Sequence, residues 1–156
     1  MFKKILVVID EMPVSQAAIQ LAHTLAVVHA ADVVHLALMP SFASALTDAT
    51  SYSITVADDI HTAATTQARE TLDRAMADAE RAGVMVRAAL IQLDGDAHTV
   101  VEVARQRRCD VIVVATENQN AVVRLLSRNL VPGLITASPV PVLVCKPTDQ
   151  ASAPTP

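Results

Sequence analysis

Three features of this sequence predict a single α/β domain built on an open parallel sheet. They are short β-branched apolar runs, helical segments between those runs with apolar residues three and four apart, and a near absence of aromatic side chains. Runs such as Ile5-Leu6-Val7-Val8-Ile9 and Val111-Ile112-Val113-Val114 lack the alternation of a half-exposed strand, so they belong inside a sheet covered on both faces. Strands that alternate with helices are joined by right-handed crossovers and therefore run parallel. Hydrophobic residues make up 52% of the chain and aromatic residues only 2%, so Ala, Val, Leu and Ile must fill the core. With 156 residues, one domain is expected, large enough to bury roughly 70% of its unfolded surface.

The first strand stops at Asp10, a carboxylate at a strand end. Pro13 and Ser15 then signal a helix in which Ala18, Leu21, Ala22, Leu25 and Val28 form one face. Val33 to Met39 is the second strand. Pro40 to Val56 is rich in Ser, Thr and Ala without a firm period and is predicted as a long, mobile loop. From Asp58 to Ala82, Ile60, Ala64, Ala68, Leu72, Ala75 and Ala79 mark one helical face, with Arg69/Asp73 and Glu70/Arg74 as ion pairs on the other. Gly83 ends that helix as a C-cap. Val84 to Leu93 is the third strand, closed by Asp94-Gly95, and Asp96 caps a helix holding Val100, Val103 and Ala104. Asp110 leads into the fourth strand. A short helix follows from Leu130 to Ala137, with Asn129 as its N-cap and Pro132 in the first turn, where a missing N–H removes no intrahelical bond. The fifth strand, Val140 to Lys146, has Pro139 and Pro141 only at its start, as an edge strand does. The domain therefore spans residues 1–146, and the tail Pro147 to Pro156, without apolar period, is predicted to be disordered.

The net charge of −4 and a pI near 5.6 give no general attraction to nucleic acid or to an anionic membrane surface. Mean hydropathy is high at +0.39, yet no apolar run approaches the ~20 residues that span a bilayer. Met1-Phe2-Lys3-Lys4-Ile5 runs straight into a strand without a signal-peptide h-region, so a cytoplasmic location is expected. Cys109 and Cys145 have no paired spacing and read as buried thiols. His23, His29, His35, His61 and His98 are scattered without metal-ligand spacing, so each reads as a surface or packed residue and no metal site is assigned. The three glycines, Gly83, Gly95 and Gly133, build no Walker A loop, no G-x-G-x-x-G turn and no G-x-S-x-G elbow, and no catalytic residue is assigned. Arg105-Gln106-Arg107-Arg108 falls in the last turn of a helix, where cations complement the negative dipole end. Ligands in open α/β sheets bind beyond the carboxyl ends of strands, which directs attention to Asp10, Met39, Asp94 and the segment Ala115 to Asn118.

The opening Lys4-Ile5-Leu6-Val7-Val8-Ile9-Asp10, with Ser15 starting the first helix, resembles that of universal stress proteins. So do Asp110-Val111-Ile112-Val113-Val114-Ala115-Thr116 and, after a helix, Ser138-Pro139-Val140-Pro141-Val142-Leu143-Val144. The resemblance runs through Lys146, with the segment after Met39 as its variable part. It implies a five-stranded parallel sheet of the adenine nucleotide α-hydrolase-like kind, in the order 3-2-1-4-5, and a homodimer joined through the last strand at Val140, Val142, Leu143 and Val144. The family's signature after the fourth strand, G-x2-G-x9-G-[ST], wraps glycine amides around the phosphates of ATP. Those positions fall here on Ala115, Asn118, Arg128 and Asn129, and all four are changed. Glycine permits positive φ and close backbone approach to a phosphate, whereas Ala and Arg do neither cheaply. Asn118 is the mildest change, since Asn tolerates the left-handed region. Asp10 matches the family carboxylate near the adenosine, and it also suits a strand-end cap of the next turn.

The resemblance thus implies a non-enzymatic, dimeric stress-response module that engages a protein partner, its nucleotide binding lost or weakened and no cofactor retained. The alternative keeps ATP or AMP, using Asp10, Arg128 and Asn129, as a switch with slow hydrolysis at most. A receiver-type phospho-acceptor is also suggested by Asp10-Glu11, Asp94, Thr116 and Lys146-Pro147, but strand-end acids are common in this architecture.

Overall fold

Ile5, Leu6, Val7 and Val8 are wholly buried in the computed structural model of the chain, which describes residues 1–10, 14–39, 54–93, 95–116 and 130–146. Burial on both sides fits their strand, β1 (Lys4–Ile9), which is the centre of the sheet. It is followed by α1 (Ser15–His29), β2 (Asp32–Met39), α2 (Ile54–Arg81), β3 (Val86–Leu93), α3 (Ala97–Arg107), β4 (Val111–Ala115), α4 (Leu130–Ala137) and β5 (Val142–Cys145). The five strands are ordered β3-β2-β1-β4-β5 and every neighbouring pair is parallel.

Strand periodicity divides the core in two. Ile5, Val7, Ile9, Val33, Ala37, Val111 and Val113 face α1 and α2, where Ala18, Ile19, Ala22 and Leu72, Ala75, Ala79 meet them. Leu6, Val8, Val34, Leu36, Ile112 and Val114 face α3 and α4, and meet Val100, Ala104, Leu130 and Leu134. The small residues on the helices let them lie close to the aliphatic strands, and Phe2 packs against the edge of the α1-side cluster.

The boundaries move where local hydrogen bonding competes with the pattern. The loop predicted to reach Val56 ends earlier, because α2 begins at Ile54 rather than Asp58; neither Gly nor Pro occurs from 54 to 82 to stop it. The third strand starts at Val86 rather than Val84, since the Val84 N–H donates to the Ala79 carbonyl at 2.8 Å and closes α2 instead. Gly83 has φ +70° and is the left-handed C-cap foreseen for it. The fifth strand is four residues long, shorter than the predicted 140–146. Its start is lost to a turn in which the Ser138 hydroxyl donates to the Val140 carbonyl at 2.7 Å and accepts the Val140 N–H. Glu70 and Arg74 pair at 3.8 Å, whereas no ion pair joins Arg69 to Asp73 among the described residues. Asp96 caps α3, its Oδ1 accepting the Thr99 N–H at 2.8 Å. Pro132 lies in the first turn of α4 as expected; Asn129, the loop from Pro40 and the tail after Lys146 lie outside the described residues.

The start of the chain is tied to the turn before β4. The Asp110 carboxylate accepts the backbone N–H of Lys3 at 2.6 Å and of Lys4 at 2.9 Å, and the Lys4 ammonium donates to the Arg107 carbonyl at 3.0 Å. Among the described residues, no helix is long and apolar enough to cross a membrane.

Candidate functional site

A parallel sheet brings its carboxyl ends to one edge, and β1 sits between β2 and β4 there. Lys4 aligns with Asp32 and Ile9 with Ala37, so Asp10 ends one strand while Met39, two residues beyond Ala37, ends the next. On the other side Val7 aligns with Val113, which places Ala115 level with Ile9. Asp10, Met39 and Ala115 therefore share this edge. Asn118, Arg128 and Asn129, together with Asp94 and Met12, lie outside the described residues.

Asp10 is half-buried, and it is held by Ser15. The wholly buried Ser15 hydroxyl donates to Asp10 Oδ1 at 2.9 Å and accepts the Asp10 backbone N–H at 3.2 Å. The sequence reads Ser15 as a helix start signal, and α1 does begin with it. The residue before it, Val14, has no polar side-chain atom and makes no cap bond, while Ser15 is already the first helical residue and turns back to the strand. The carboxylate thus shapes the turn from β1 into α1, and that is the structural role the sequence offers it.

Ala115 has its side chain in the core on the α1 face and is 3% exposed. Positive φ among the described residues is found at Ala30, Arg108 and Gly83, so Ala115 has the ordinary backbone of a strand. The next amide is also committed, since the Thr116 N–H donates to the Cys145 carbonyl at 2.9 Å. At this first signature position the loss of glycine therefore adds a packed methyl group at the strand end and strains no dihedral angle. Two other glycines do serve close approach. A Cβ on Gly95 would lie 2.5 Å from Leu38 Cδ2, and one on Gly133 would lie 2.7 Å from Ala97 Cβ, where the first turns of α3 and α4 touch.

Reactive side chains are scarce. Burial pushes the Cys109 thiol up to about 11, outside the range of a nucleophile at neutral pH. Cys145 is only partly buried; burial raises it too, and its Sγ donates to the Val114 carbonyl at 3.2 Å. No cluster of three or more His, Cys, Asp or Glu that could hold a metal occurs among the described residues. The Arg105 guanidinium is bound to Glu102 at 2.8 Å and 3.1 Å in the last turn of α3, the structural use that the basic cluster suggests. One polar pair went unread in the sequence. His23 and His35, taken there as separate residues, meet inside the α1 face with their Nε2 atoms 3.0 Å apart.

The profile described as universal stress protein family matches residues 1–146. No curated protein matches the chain at a significant level. A solved protein of that family from Burkholderia pseudomallei is 24% identical with a TM-score of 0.67, over 92% of this chain and 95% of that one. Universal stress protein UspA from Lactobacillus plantarum is 18% identical with a TM-score of 0.71, over 91% and 96%. The universal stress protein from Archaeoglobus fulgidus, solved in complex with dAMP, is 15% identical with a TM-score of 0.60, over 92% and 97%.

Proposed function

The chain belongs to the universal stress protein family, and from that premise we propose that it is a non-enzymatic, dimeric cytoplasmic interaction protein whose nucleotide site is degenerate. The observation that carries this reading is the replacement of all four signature residues by Ala115, Asn118, Arg128 and Asn129. The packed methyl group of Ala115 on the strand end supports it, because it adds bulk where a phosphate-wrapping loop begins. Each lost charge-assisted bond to phosphate costs about 1.5–3 kcal/mol, so losing two or three turns micromolar binding into none that is measurable. Titration calorimetry of the purified chain with ATP, with and without magnesium, is expected to show no saturable heat at ligand concentrations up to about 1 mM. Tight binding under either condition would overturn the reading. It would promote the adenine-nucleotide switch, which draws support from the dAMP complex of the Archaeoglobus fulgidus protein and from Asp10 at the shared strand edge.

For the dimer we propose pairing through β5, whose only strand partner among the described residues is β4. An open edge carrying Val144, 38% exposed, is a template for a second copy unless it is covered. Sedimentation at micromolar concentration is expected to give a dimer, and Val144→Lys to give a monomer of unchanged secondary structure. A natural chain that sediments as a monomer would refute the pairing.

A further inference from the structure

His23 of α1 and His35 of β2 lie between the sheet and its α1/α2 layer, Nε2 to Nε2 at 3.0 Å and with ring centroids 5.3 Å apart. His35 is wholly buried and His23 nearly so. His35 Nδ1 has no hydrogen-bond partner. A hydrogen bond between two ring nitrogens needs one N–H and one lone pair, so the two neutral rings must adopt opposite tautomers. Were His35 the acceptor, its proton would sit on Nδ1 as a buried donor facing nothing, the kind of orphan that folded proteins avoid most strongly. The less costly arrangement has His35 Nε2–H donating to His23 Nε2, with the other proton on His23 Nδ1.

We propose that the His23–His35 pair is an acid-sensitive latch, which fastens α1 to the sheet while both rings are neutral and releases the α1/α2 layer when a ring takes a proton from solvent. The proton balance is simple. A proton added to His23 Nε2 sets two N–H groups face to face, unless His35 moves its own proton to the unpartnered Nδ1. Either result breaks the contact or buries an orphan donor, and a second proton sets two like charges side by side in an apolar layer.

Little counter-charge stands ready. From α2, Asp78 faces His23 and favours its charged form, but that carboxylate is already bonded to Arg81. On β1 and β3 the residues in register with His35 are Val7 and Ala89, and β4 turns Val111 and Val113 to this face. The other ionisable group on α1 is His29 in its last turn; on β2 it is Asp32, which pairs with Arg87 of β3. A cleft of about 240 Å³ between α1 and α2, lined by Gln16, Ile19, Arg74, Asp78 and Arg81 among others, brings solvent to Asp78, while neither histidine lines it.

Burial, and after it the neighbouring His23, holds His35 down at about 4, and burial also lowers His23. The unfolded chain, with rings near the ordinary 6.5, therefore binds more protons than the native one between those values. Stability is present above about 6.5 and is lost as pH falls towards about 4. The inference holds whatever the strand ends bind.

Denaturant unfolding of the full chain at pH 7.5 and pH 5.0 tests it. The folding constant is expected to fall roughly 30-fold through His35 alone, and further with His23. The double variant His23→Leu/His35→Val, which removes both partners together, is expected to lose less than threefold over the same interval, with His29, His61 and His98 still in place. A double variant that keeps the full loss overturns the proposal. Should that variant not fold, ring ¹⁵N spectra of the natural chain decide the question. A bare His35 Nδ1 that stays bare down to pH 5 while the chain is folded supports the latch. A protonated Nδ1 at pH 7.5, or uptake near pH 6.5 with the fold intact, refutes it.

Discussion

Changing Ala115, Asn118 and Arg128 to Gly and Asn129 to Ser in one chain is expected to raise its affinity for ATP by at least 100-fold. Two recovered charge-assisted bonds at about 1.5–3 kcal/mol each amount to about 3–6 kcal/mol, or a factor of roughly 10² to 10⁴. The four changes must act together, because a phosphate wrapped on one side only leaves the remaining oxygens to water. The variant also loses stability. Ala115→Gly takes a methyl group out of the core on the α1 face and puts glycine at the end of β4, at a cost of about 1–2 kcal/mol. Melting should therefore be measured before calorimetry, and a folded variant that saturates with ATP confirms that the signature positions alone silenced the site. If the folded variant still ignores ATP, the defect lies on the adenosine side, where Met12 follows Asp10 in sequence and Met39 ends the neighbouring strand.

Leu134→Ala is expected to destabilise the chain by about 3–5 kcal/mol, a large share of the ~5–15 kcal/mol that holds a domain of this kind together. Leu134 is wholly buried against the α3 side of the sheet, and with Leu130 it carries the burial of α4. An eight-residue helix does not persist alone in water and depends on such contacts. The site has little freedom to collapse around the cavity, since Gly133 already holds the helix hard against Ala97. Ile135, next in sequence but 64% exposed, supplies the control, and Ile135→Ala should change stability by no more than about 0.5 kcal/mol. Denaturant midpoints at constant slope check both. A Leu134→Ala loss under about 1 kcal/mol would mean that α4 adds little to the core.

How far this molecule could be read from its residues depended on how local each determinant was. The aliphatic runs Ile5 to Ile9 and Val111 to Val114, β-branched but for Leu6, declared buried parallel strands because few other environments accept four or five aliphatic residues in succession. Asp96 and Gly83 announced their caps through chemistry confined to one turn. Strand ends were less legible. Val84 and Val140 fit a strand by composition, but their backbone groups are used by the closing turn of α2 and by Ser138. The partnership of Ser15 with Asp10 could not be told from an ordinary helix start without knowing that β1 and α1 fold back on each other. The histidine pair did leave a trace. A residue at the centre of a strand covered on both faces must itself be buried, which marks His35, and His23 follows the buried Ile19 by one helical turn. Their meeting belongs to tertiary packing, and no spacing rule contains it.

The Asp110 carboxylate that grips the amides of Lys3 and Lys4 also sets an order on the making of this chain. As residues leave the ribosome, β1, α1 and β2 are available to one another within the first 39 positions. The other edge of β1 has to wait for β4, which ends at residue 115. Through that interval the central strand of the sheet has an unpaired side, and closing the loop between Lys4 and Asp110 brings entropic cost before any contact rewards it. A nascent chain stalled between residues 40 and 110 is thus the form of this protein most exposed to aggregation and most in need of a chaperone.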